Sequence, residues 1–470
     1  MLEILLEAVL FLQAMALPLL CGLLTLGLVA GNQRFSLGLA LSLGYALGMG
    51  ILGQLMLPFG WLDLSLSKEA VSLAILIYMS FISFLFLLRL RYFPHKNIDL
   101  PKGQEGSWTT VRKLFFVIML AYISCQAFYI LWNAFFVPIC HGDDSTAYLL
   151  RTRMFLHTHS LRQLWGISLV GHLSYPLQNP LAMAWVALNI GQWHEGWVRM
   201  IFPLNCFSFV GIVYYFMKRW TDRLTALLTV ALMLSSLFFV YHASIGYCDF
   251  TEMFYTVSSL LLISWGISSR CAGWILLGGL MSAFAASVKL EGIAYWILEG
   301  VVLCRFILAK EFFDPQFVIK ALAGFVLPFI IIECNFGLYK AHYGIAEIWK
   351  VQHYFVFSLH EFGGRIPAMA CALTDNFFLS GNWNILWFFL IVMVLANLKK
   401  KKSFAFRFFS LTLGLFFMNY LLAAEFTNKS IFIADVKNVV TLSRLLLHFF
   451  PLCPILIGLL MYHFLENKRV

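Results

Sequence analysis

The stretch His141-Gly142-Asp143-Asp144-Ser145-Thr146-Ala147-Tyr148 follows an apolar run over 114–137, so two adjacent carboxylates stand where the chain leaves a membrane. A carboxylate beside a bilayer costs free energy unless it is solvated, paired or used in a mechanism. The stretch therefore marks a membrane boundary and the place where function is expected. Asp143 and Asp144 are the first candidate catalytic residues.

The composition of the 470 residues is that of a membrane protein. Hydrophobic residues make up 61% and charged residues 12%, and the mean hydropathy is +0.83. A soluble domain is about 45–50% apolar and about 25% charged. The net charge of +10 comes from basic clusters between apolar runs, such as Lys399 to Lys402, which the positive-inside rule explains. We therefore expect membrane lipids, and no nucleic acid, as partners.

Apolar runs of nearly spanning length recur along the whole chain. A membrane-spanning helix needs about 20 such residues, which predicts an all-α, polytopic membrane protein with about thirteen transmembrane helices. The alternation of charged turns places the N-terminus outside and the C-terminus inside. The runs are 8–30, 36–59, 69–88, 114–137, 200–217, 224–241, 253–267, 272–288, 292–308, 318–338, 384–398, 404–424 and 444–463.

A polar segment before Arg112 divides the chain into two expected units. Residues 1–112 would form an N-terminal three-helix membrane unit with a cytoplasmic linker. Residues 113–470 would form a transmembrane catalytic body with outer loops over 138–196 and 339–383.

The first outer loop carries helical patterns of its own. Ala147, Leu150 and Met154 share one helical face, which predicts an amphipathic helix along the interface from Ser145 to Leu156. A second short helix is predicted to begin at Asn179-Pro180, with proline at its first position.

Most of the remaining polar residues fall at outer helix ends or in outer loops, which places function on the outer face. No HExxH or similar metal-ligand spacing occurs. The candidates selected on this basis are Asp143, Asp144, His172, Tyr175, Asp249, Glu252, Lys289, Glu291 and Arg444.

Five short motifs, in this order and on one side, resemble the GT-C glycosyltransferases. These are polyprenyl-phosphate-sugar-dependent enzymes that include protein O-mannosyltransferases and lipid A aminoarabinose transferases. The motifs span roughly 114–463 and are Gly142-Asp143-Asp144 through Arg153, His172-Leu173-Ser174-Tyr175-Pro176 with Asn179-Pro180, Gly246-Tyr247-Cys248-Asp249-Phe250, Val288-Lys289-Leu290-Glu291-Gly292, and Ser443 to His448 before Phe450-Pro451.

Three features depart from the family pattern. Leu290 replaces the asparagine of the Lys-Asn-Glu segment of bacterial members, and the acidic pair is Asp-Asp where several relatives have Asp-Glu. The first three helices have no counterpart in the minimal family core, so their role is open.

The resemblance implies an inverting membrane glycosyltransferase that moves a sugar from a polyprenyl-phosphate donor to a lipid, glycan or protein acceptor. Such transfer needs a base for the acceptor proton and cations for the departing phosphate. The base would be Asp143 or Asp144, with Asp143 favoured, and Arg444 would contact the lipid phosphate. The further substrate-binding or phosphate-binding candidates are Lys289, Glu291, Asp249, Glu252, Arg153, His172 and Tyr175.

The same resemblance implies a bacterial inner membrane with the active site facing the periplasm. A divalent cation, Mg²⁺ or Mn²⁺, is a possible cofactor, because Asp143, Asp144 and Asp249 offer the oxygen ligands that such ions prefer. A shared site predicts an outward-facing cavity lined by Asp143, Lys289 and Arg444.

Each candidate also has a purely structural interpretation. Asp143, Asp144 and Ser145 could cap the following helix, and Asp249 and Glu252 could cap the helix expected at 253. Lys289 and Glu291 could form a helix-end ion pair, and Arg444 could be an interfacial anchor. His172 and Tyr175 could be loop packing.

Three other functions stay open. A lipid-linked sugar flippase or other transporter would place charges near the bilayer midplane. A surface-polysaccharide ligase or polymerase would use outer-loop arginine and histidine, for which Arg365 and His360 are candidates. A noncatalytic assembly subunit is the third alternative.

Overall fold

The computed structural model describes residues 2–30, 35–92, 109–138, 142, 144–162, 174–345, 365–398, 403–426 and 439–466. Within these ranges all regular structure is helical. The expected all-α fold is confirmed, and the chain is an integral, multi-pass membrane protein.

Twenty α-helices follow one another in the described ranges. They are α1 (Leu2–Ala30), α2 (Leu37–Met56), α3 (Pro58–Trp61), α4 (Lys68–Tyr92), α5 (Thr110–Phe136), α6 (Leu150–Thr158), α7 (Gln178–Ile190), α8 (Glu195–Arg199), α9 (Ile201–Trp220), α10 (Arg223–Leu234), α11 (Leu237–His242), α12 (Cys248–Ser268), α13 (Ala272–Val288), α14 (Glu291–Ile307), α15 (Pro315–His342), α16 (Ile366–Thr374), α17 (Leu386–Ala396), α18 (Phe404–Phe426), α19 (Val439–Leu447) and α20 (Leu452–Glu466). Two π-helical segments, Asp144–Leu149 and Asp375–Leu379, precede α6 and follow α16.

Every predicted apolar run coincides with helix. In the described part of the chain, eight helical stretches are long and apolar enough to cross a membrane, and α19 with α20 makes a ninth candidate, bent by 49°. Shorter apolar helices, including α10, α13 and α17, complete the bundle. The count of thirteen spans stays a prediction.

The run 36–59 divides at Leu57 into α2 and α3, and two further predicted runs are broken rather than continuous. The run 224–241 divides into α10 and α11, because Ser236 caps α11 by accepting from the Phe239 N–H and donates to the Asn382 carbonyl. The run 444–463 bends between α19 and α20 near Pro451, which has no backbone N–H to continue a helix.

Glycines let α1 and α2 pack backbone to backbone. A Cβ on Gly22 would lie 1.8 Å from the Gly44 carbonyl oxygen, and a Cβ on Gly48 would lie 1.8 Å from the Pro18 carbonyl oxygen. Gly44 and Gly48 are four residues apart, the spacing with which small residues bring membrane helices together. Larger side chains would separate the two helices.

The first helices share the core of the remaining chain. The Trp185 indole N–H of α7 donates to the Ala14 carbonyl at 2.7 Å. The Tyr45 hydroxyl of α2 donates to the Ile201 carbonyl at 3.2 Å. The first helices therefore pack directly against the helices that follow residue 112. The domain boundary at residue 112 stays a prediction.

Helix α7 is short and buried along its whole length. It begins at Gln178, one residue before the expected cap, and Leu177 at its N-cap makes no side-chain bond. The Gln178 amide donates to the Met49 carbonyl, and the Asn179 amide donates to the Thr251 hydroxyl. Asn179 thus ties α7 to α12 rather than capping its own helix.

The first outer helix differs from its predicted pattern. The π-helical segment and α6 together extend to Thr158, and their buried face includes Tyr148, Arg151 and Thr152. The sequence pattern placed only Ala147, Leu150 and Met154 on the apolar face. The polar residues are buried because they are paired: Arg151 donates to the Tyr175 carbonyl, and Thr152 donates to the Tyr148 carbonyl.

The two ends of the bundle differ in charge. One end, called here the basic end, gathers the starts of α5, α10, α13 and α15 and the ends of α9, α12 and α14. It carries Lys113, Lys218, Arg219, Arg223, Arg270, Arg305, Lys310, Lys320 and Arg407. The opposite end, called the site end, gathers the starts of α12 and α14 with α6 and α19.

Candidate functional site

Asp249 is the centre of the cluster at the site end. Helix α12 begins at Cys248 with Tyr247 at its N-cap, five residues before the predicted start. Asp249 and Glu252 therefore lie inside the first turns of the helix. The expectation that they cap a helix at 253 is wrong, because both carboxylates point to cations on other helices.

The Asp249 carboxylate joins two cations distant in sequence. Its Oδ1 lies 3.1 Å from Lys289 Nζ, and its Oδ2 lies 3.0 Å from both Nε and a terminal nitrogen of Arg444. Only 1% of the Asp249 side chain is exposed. A buried carboxylate is tolerated when it is paired in this way.

Lys289 stands in the tight connection between α13 and α14. Its Nζ also lies 3.1 Å from Glu291 Oε1 and 3.9 Å from Glu252 Oε2. Burial disfavours the ammonium, but the charges of Asp249, Glu291 and Glu252 outweigh it and hold the pKa of Lys289 well above its ordinary value. The helix-end ion pair with Glu291 exists as one part of a larger network.

Gly292 allows this tight connection. A Cβ at Gly292 would lie 2.5 Å from the backbone carbon of Ala285. The first turn of α14 therefore packs directly on the last turns of α13, and Lys289 projects from the corner toward α12.

Arg444 comes to the cluster from α19. Its guanidinium carbon lies 4.3 Å from the centre of the Tyr247 ring, a cation–π distance, and its side chain is 19% exposed. Arginine presents a planar fork of donors that suits carboxylates and phosphates. Because Arg444 lies over an aromatic ring and against a buried carboxylate, its head group is held in place rather than free to move as an interfacial anchor.

His448 lies four residues after Arg444 and faces the same carboxylates. Its Nε2 is 3.0 Å from Glu252 Oε2 and 3.4 Å from Asp249 Oδ1. A proton on Nε2 suits that environment, which leaves Nδ1 to accept from the Tyr295 hydroxyl at 2.6 Å. Tyr420 hydrogen-bonds Tyr295 in turn. Two tyrosines thus fix the imidazole behind the acids.

Two tyrosines, one in the π-helical segment and one before α7, lie near the cluster. Tyr148 is buried, and its hydroxyl interacts electrostatically with Lys289 and Asp249. Burial, followed by the charge of Glu291, raises the pKa of the Tyr175 hydroxyl. The helical segment that starts at Asp144 therefore ends against the cluster.

Several predicted site residues lie elsewhere or cannot be placed. Asp143 and His172 lie outside the described residues, as does His360, and of Asp144 only the backbone position at the start of the π-helical segment is described. Arg153 lies apart from Asp249. It stacks over Trp193 at 4.5 Å and lies 3.7 Å from Glu195.

Asp249 is a poor candidate for a divalent cation. Its oxygens face the cations Lys289 and Arg444 and the imidazole of His448, so a metal would have to compete with donors already in place. Among the described residues no group of three His, Cys, Asp or Glu side chains is arranged to hold a metal ion. The remaining oxygen ligands of the expected set are the Asp143 and Asp144 carboxylates.

Sequence reasoning missed four side chains of the cluster as functional candidates, namely Tyr148, Tyr295, Tyr420 and His448. The signal for two of them was helical spacing: His448 follows Arg444 by four residues, and Tyr295 follows Glu291 by four. Tyr420 carried no such signal, because it reaches the site only through the packing of α18.

The cluster brings two cations, Lys289 and Arg444, against the carboxylates of Asp249, Glu252 and Glu291. The Lys289 side chain is buried, whereas Arg444 and Glu291 are partly exposed, so Arg444 is the cation placed to face an anionic group. A group with developing negative charge would find donors already oriented there.

No protein-family model matches the sequence, and no curated protein matches it. The structure is similar to the crystal structure of ArnT from Cupriavidus metallidurans in the apo state, with a TM-score of 0.51 and 16% identity over 75% of this chain. The chain spans about 60% of the length of that ArnT chain. At this identity the likeness is one of fold, and it confirms the GT-C-like fold that the five motifs implied.

Proposed function

We propose that this protein is a membrane glycosyltransferase that moves a sugar from a polyprenyl-phosphate donor to a lipid, glycan or protein acceptor. The observation that carries the proposal is the meeting of Lys289 and Arg444 at Asp249. Residues 40 and 195 positions from Asp249 converge there, at the end of the bundle away from the basic clusters. The ArnT-like fold supports the same class.

The proposed reaction inverts the anomeric carbon. The acceptor hydroxyl oxygen attacks that carbon opposite the phosphate, the bond from carbon to phosphate oxygen breaks, and polyprenyl phosphate leaves with the bonding electrons. Asp143 or Asp144 takes the hydroxyl proton, with Asp143 favoured. Arg444 and Lys289 offset the charge that develops on the phosphate.

The carboxylates of the cluster have a positioning role in this proposal. Asp249 orients the two cations, while His448 lies behind Asp249 at 3.4 Å and against Glu252 at 3.0 Å. Glu291 and Tyr175 border the donor site, and Arg153 and His172 are kept as further substrate-binding candidates. Any divalent cation would be held at Asp143 and Asp144. Proton removal and charge stabilisation, as proposed here, need only side chains of the protein.

The proposed location is a bacterial inner membrane with the site end facing the periplasm. The basic end is rich in lysine and arginine, which the positive-inside rule assigns to the cytoplasm. A lipid-linked donor would then approach from the outer leaflet.

The deciding experiment measures sugar transfer from radiolabelled polyprenyl-phosphate sugars by purified protein in lipid. Wild type is compared with Asp143→Asn, Asp144→Asn and the control Asp63→Asn. Asp63 is an exposed carboxylate paired with His342 at 3.0 Å, and asparagine suits its positive φ. We expect one of the first two substitutions to lower transfer at least about 100-fold, while the control stays active.

Full activity in both Asp143→Asn and Asp144→Asn would reduce the acidic stretch to a helix cap. Transport of a lipid-linked sugar without transfer would favour a flippase, for which the buried Glu299 within α14 is the intramembrane charge to test. Loss of activity in Arg365→Gln alone would favour a polysaccharide ligase.

A further inference from the structure

A cavity of about 520 Å³ opens at the basic end, which is opposite the site end that carries Asp249. It lies between the start of α5, the end of α9 and the start of α10. Its lining consists of Lys113, Phe116, Val117, Tyr214, Lys218 and Arg223. Three helices thus each contribute a basic side chain to one cavity.

The neighbouring carboxylate does not cancel these charges. Asp222 accepts from the Thr225 N–H at 2.8 Å and lies 3.9 Å from a terminal nitrogen of Arg112. Asp222 therefore supplies one negative charge beside the four positive charges of Arg112, Lys113, Lys218 and Arg223. This excess of positive charge makes the cavity attractive to an anion.

The apolar side of the cavity continues onto a lipid-facing surface. Val117 is 59% exposed and Leu114 is 61% exposed, and both belong to α5. Only 11% of the apolar window of α5 is buried within the protein. A ligand with an anionic head and hydrocarbon chains fits this combination, since its chains would run along α5.

We propose that this cavity binds the phosphodiester head group of an anionic phospholipid from the leaflet at the basic end. The phosphate lies among Lys113, Lys218 and Arg223, and the glycerol backbone rests on Phe116 and Val117. Basic pockets between membrane helices on the cytoplasmic side attract such lipids.

The bound lipid would fasten α5 to the body. In the lower half of α5 a small apolar cluster joins Met119 to Leu227 and Ala231, and the Tyr122 hydroxyl donates to the Leu234 carbonyl. A head group that contacts α5, α9 and α10 at once adds a second attachment. Since α5 leads into the acidic stretch, its lipid contact also steadies the start of the outer segment.

The test uses delipidated full-length protein in detergent and native mass spectrometry. Phosphatidylglycerol, cardiolipin and phosphatidylcholine with identical acyl chains are titrated separately, and inorganic phosphate forms a fourth arm. The variant is Lys113→Gln with Lys218→Gln. The control, Lys310→Gln with Lys320→Gln, removes two exposed basic residues from the same end away from the cavity.

We expect saturable binding of the anionic lipids and an affinity about 25-fold lower in the Lys113/Lys218 variant, about fivefold for each basic residue. The control should bind as wild type does. The exposed Lys113→Gln alone should lose about fivefold, which keeps the test valid if the double variant folds poorly.

Equal binding of phosphatidylcholine would overturn the proposal, as would an equal loss in the control. Inorganic phosphate bound as tightly as the lipids would show a free-anion site and would also overturn it. None of these results depends on the activity proposed for the site end.

Discussion

The two ends of the bundle hold their ion pairs in opposite ways. At the site end, Lys289 and Asp249 meet at 3.1 Å with side chains 6% and 1% exposed. At the basic end, Arg407 and Glu311 meet at 3.5 Å with side chains 48% and 64% exposed. Exposed pairs contribute little to stability, and buried pairs are rarely better than an apolar replacement. Stability alone is therefore a weak explanation for the buried network, and we expect it to serve the proposed function.

The largest difference should appear when one carboxylate is removed at each end. Asp249→Asn leaves the buried Lys289 and the partly exposed Arg444 without their shared partner, and we expect a loss of about 3 kcal/mol in the free energy of unfolding. Asp222→Asn at the basic end keeps a helix cap and loses only a 3.9 Å pair, so the loss should be below about 1 kcal/mol. Equilibrium unfolding in mixed detergent micelles measures both. Equal losses would remove the distinction between the ends.

A backbone substitution sharpens the comparison without touching a charge. Gly292→Ala pushes a methyl group into the Ala285 backbone and should cost about 2 kcal/mol while displacing Lys289. Gly337→Ala, at a helical glycine with no atom within 4 Å, should be neutral or stabilising. Unfolding measurements on both, together with sugar transfer, test this. An active and stable Gly292→Ala protein would show that the α13–α14 corner does not position Lys289.

The smallest effect concerns the hydrogen bond behind the acids. Tyr295→Phe removes the bond to His448 and should cost about 1 kcal/mol. Tyr45→Phe removes a buried bond to the Ile201 carbonyl, which involves none of the charged side chains of the cluster, and should cost the same. Transfer activity should fall only in Tyr295→Phe, because only that bond orients the cluster. The interpretation fails if both variants retain wild-type activity.

Hydropathy was sufficient to predict the helices, because each apolar run of spanning length became helical. The charge of the connecting turns also placed Asp249, Lys289 and Arg444 on one side. The breaks at Ser236 and Pro451 were not predicted from the sequence. A serine or proline inside an apolar run does not by itself show whether the helix ends there, because contacts with other helices decide this.

The centre of the site was not predictable in the same way. The start of α12 was placed at 253 because Asp249 and Glu252 look unfavourable inside an apolar helix. Lys289 and Arg444 compensate their charge and His448 lies against them, and those partners come from distant parts of the chain. Long-range pairing of this kind leaves only a weak trace in one sequence, namely the four-residue spacing of Arg444 and His448.

The central claim is that the site-end cations hold the phosphate of a lipid-linked donor. The most direct test is kcat/KM for sugar transfer by Arg444→Lys beside Arg407→Lys, both of which keep the charge and lose the planar fork. We predict a loss of about 100-fold for Arg444→Lys and no change for Arg407→Lys. Equal activity of wild type and Arg444→Lys in folded protein would contradict the claim.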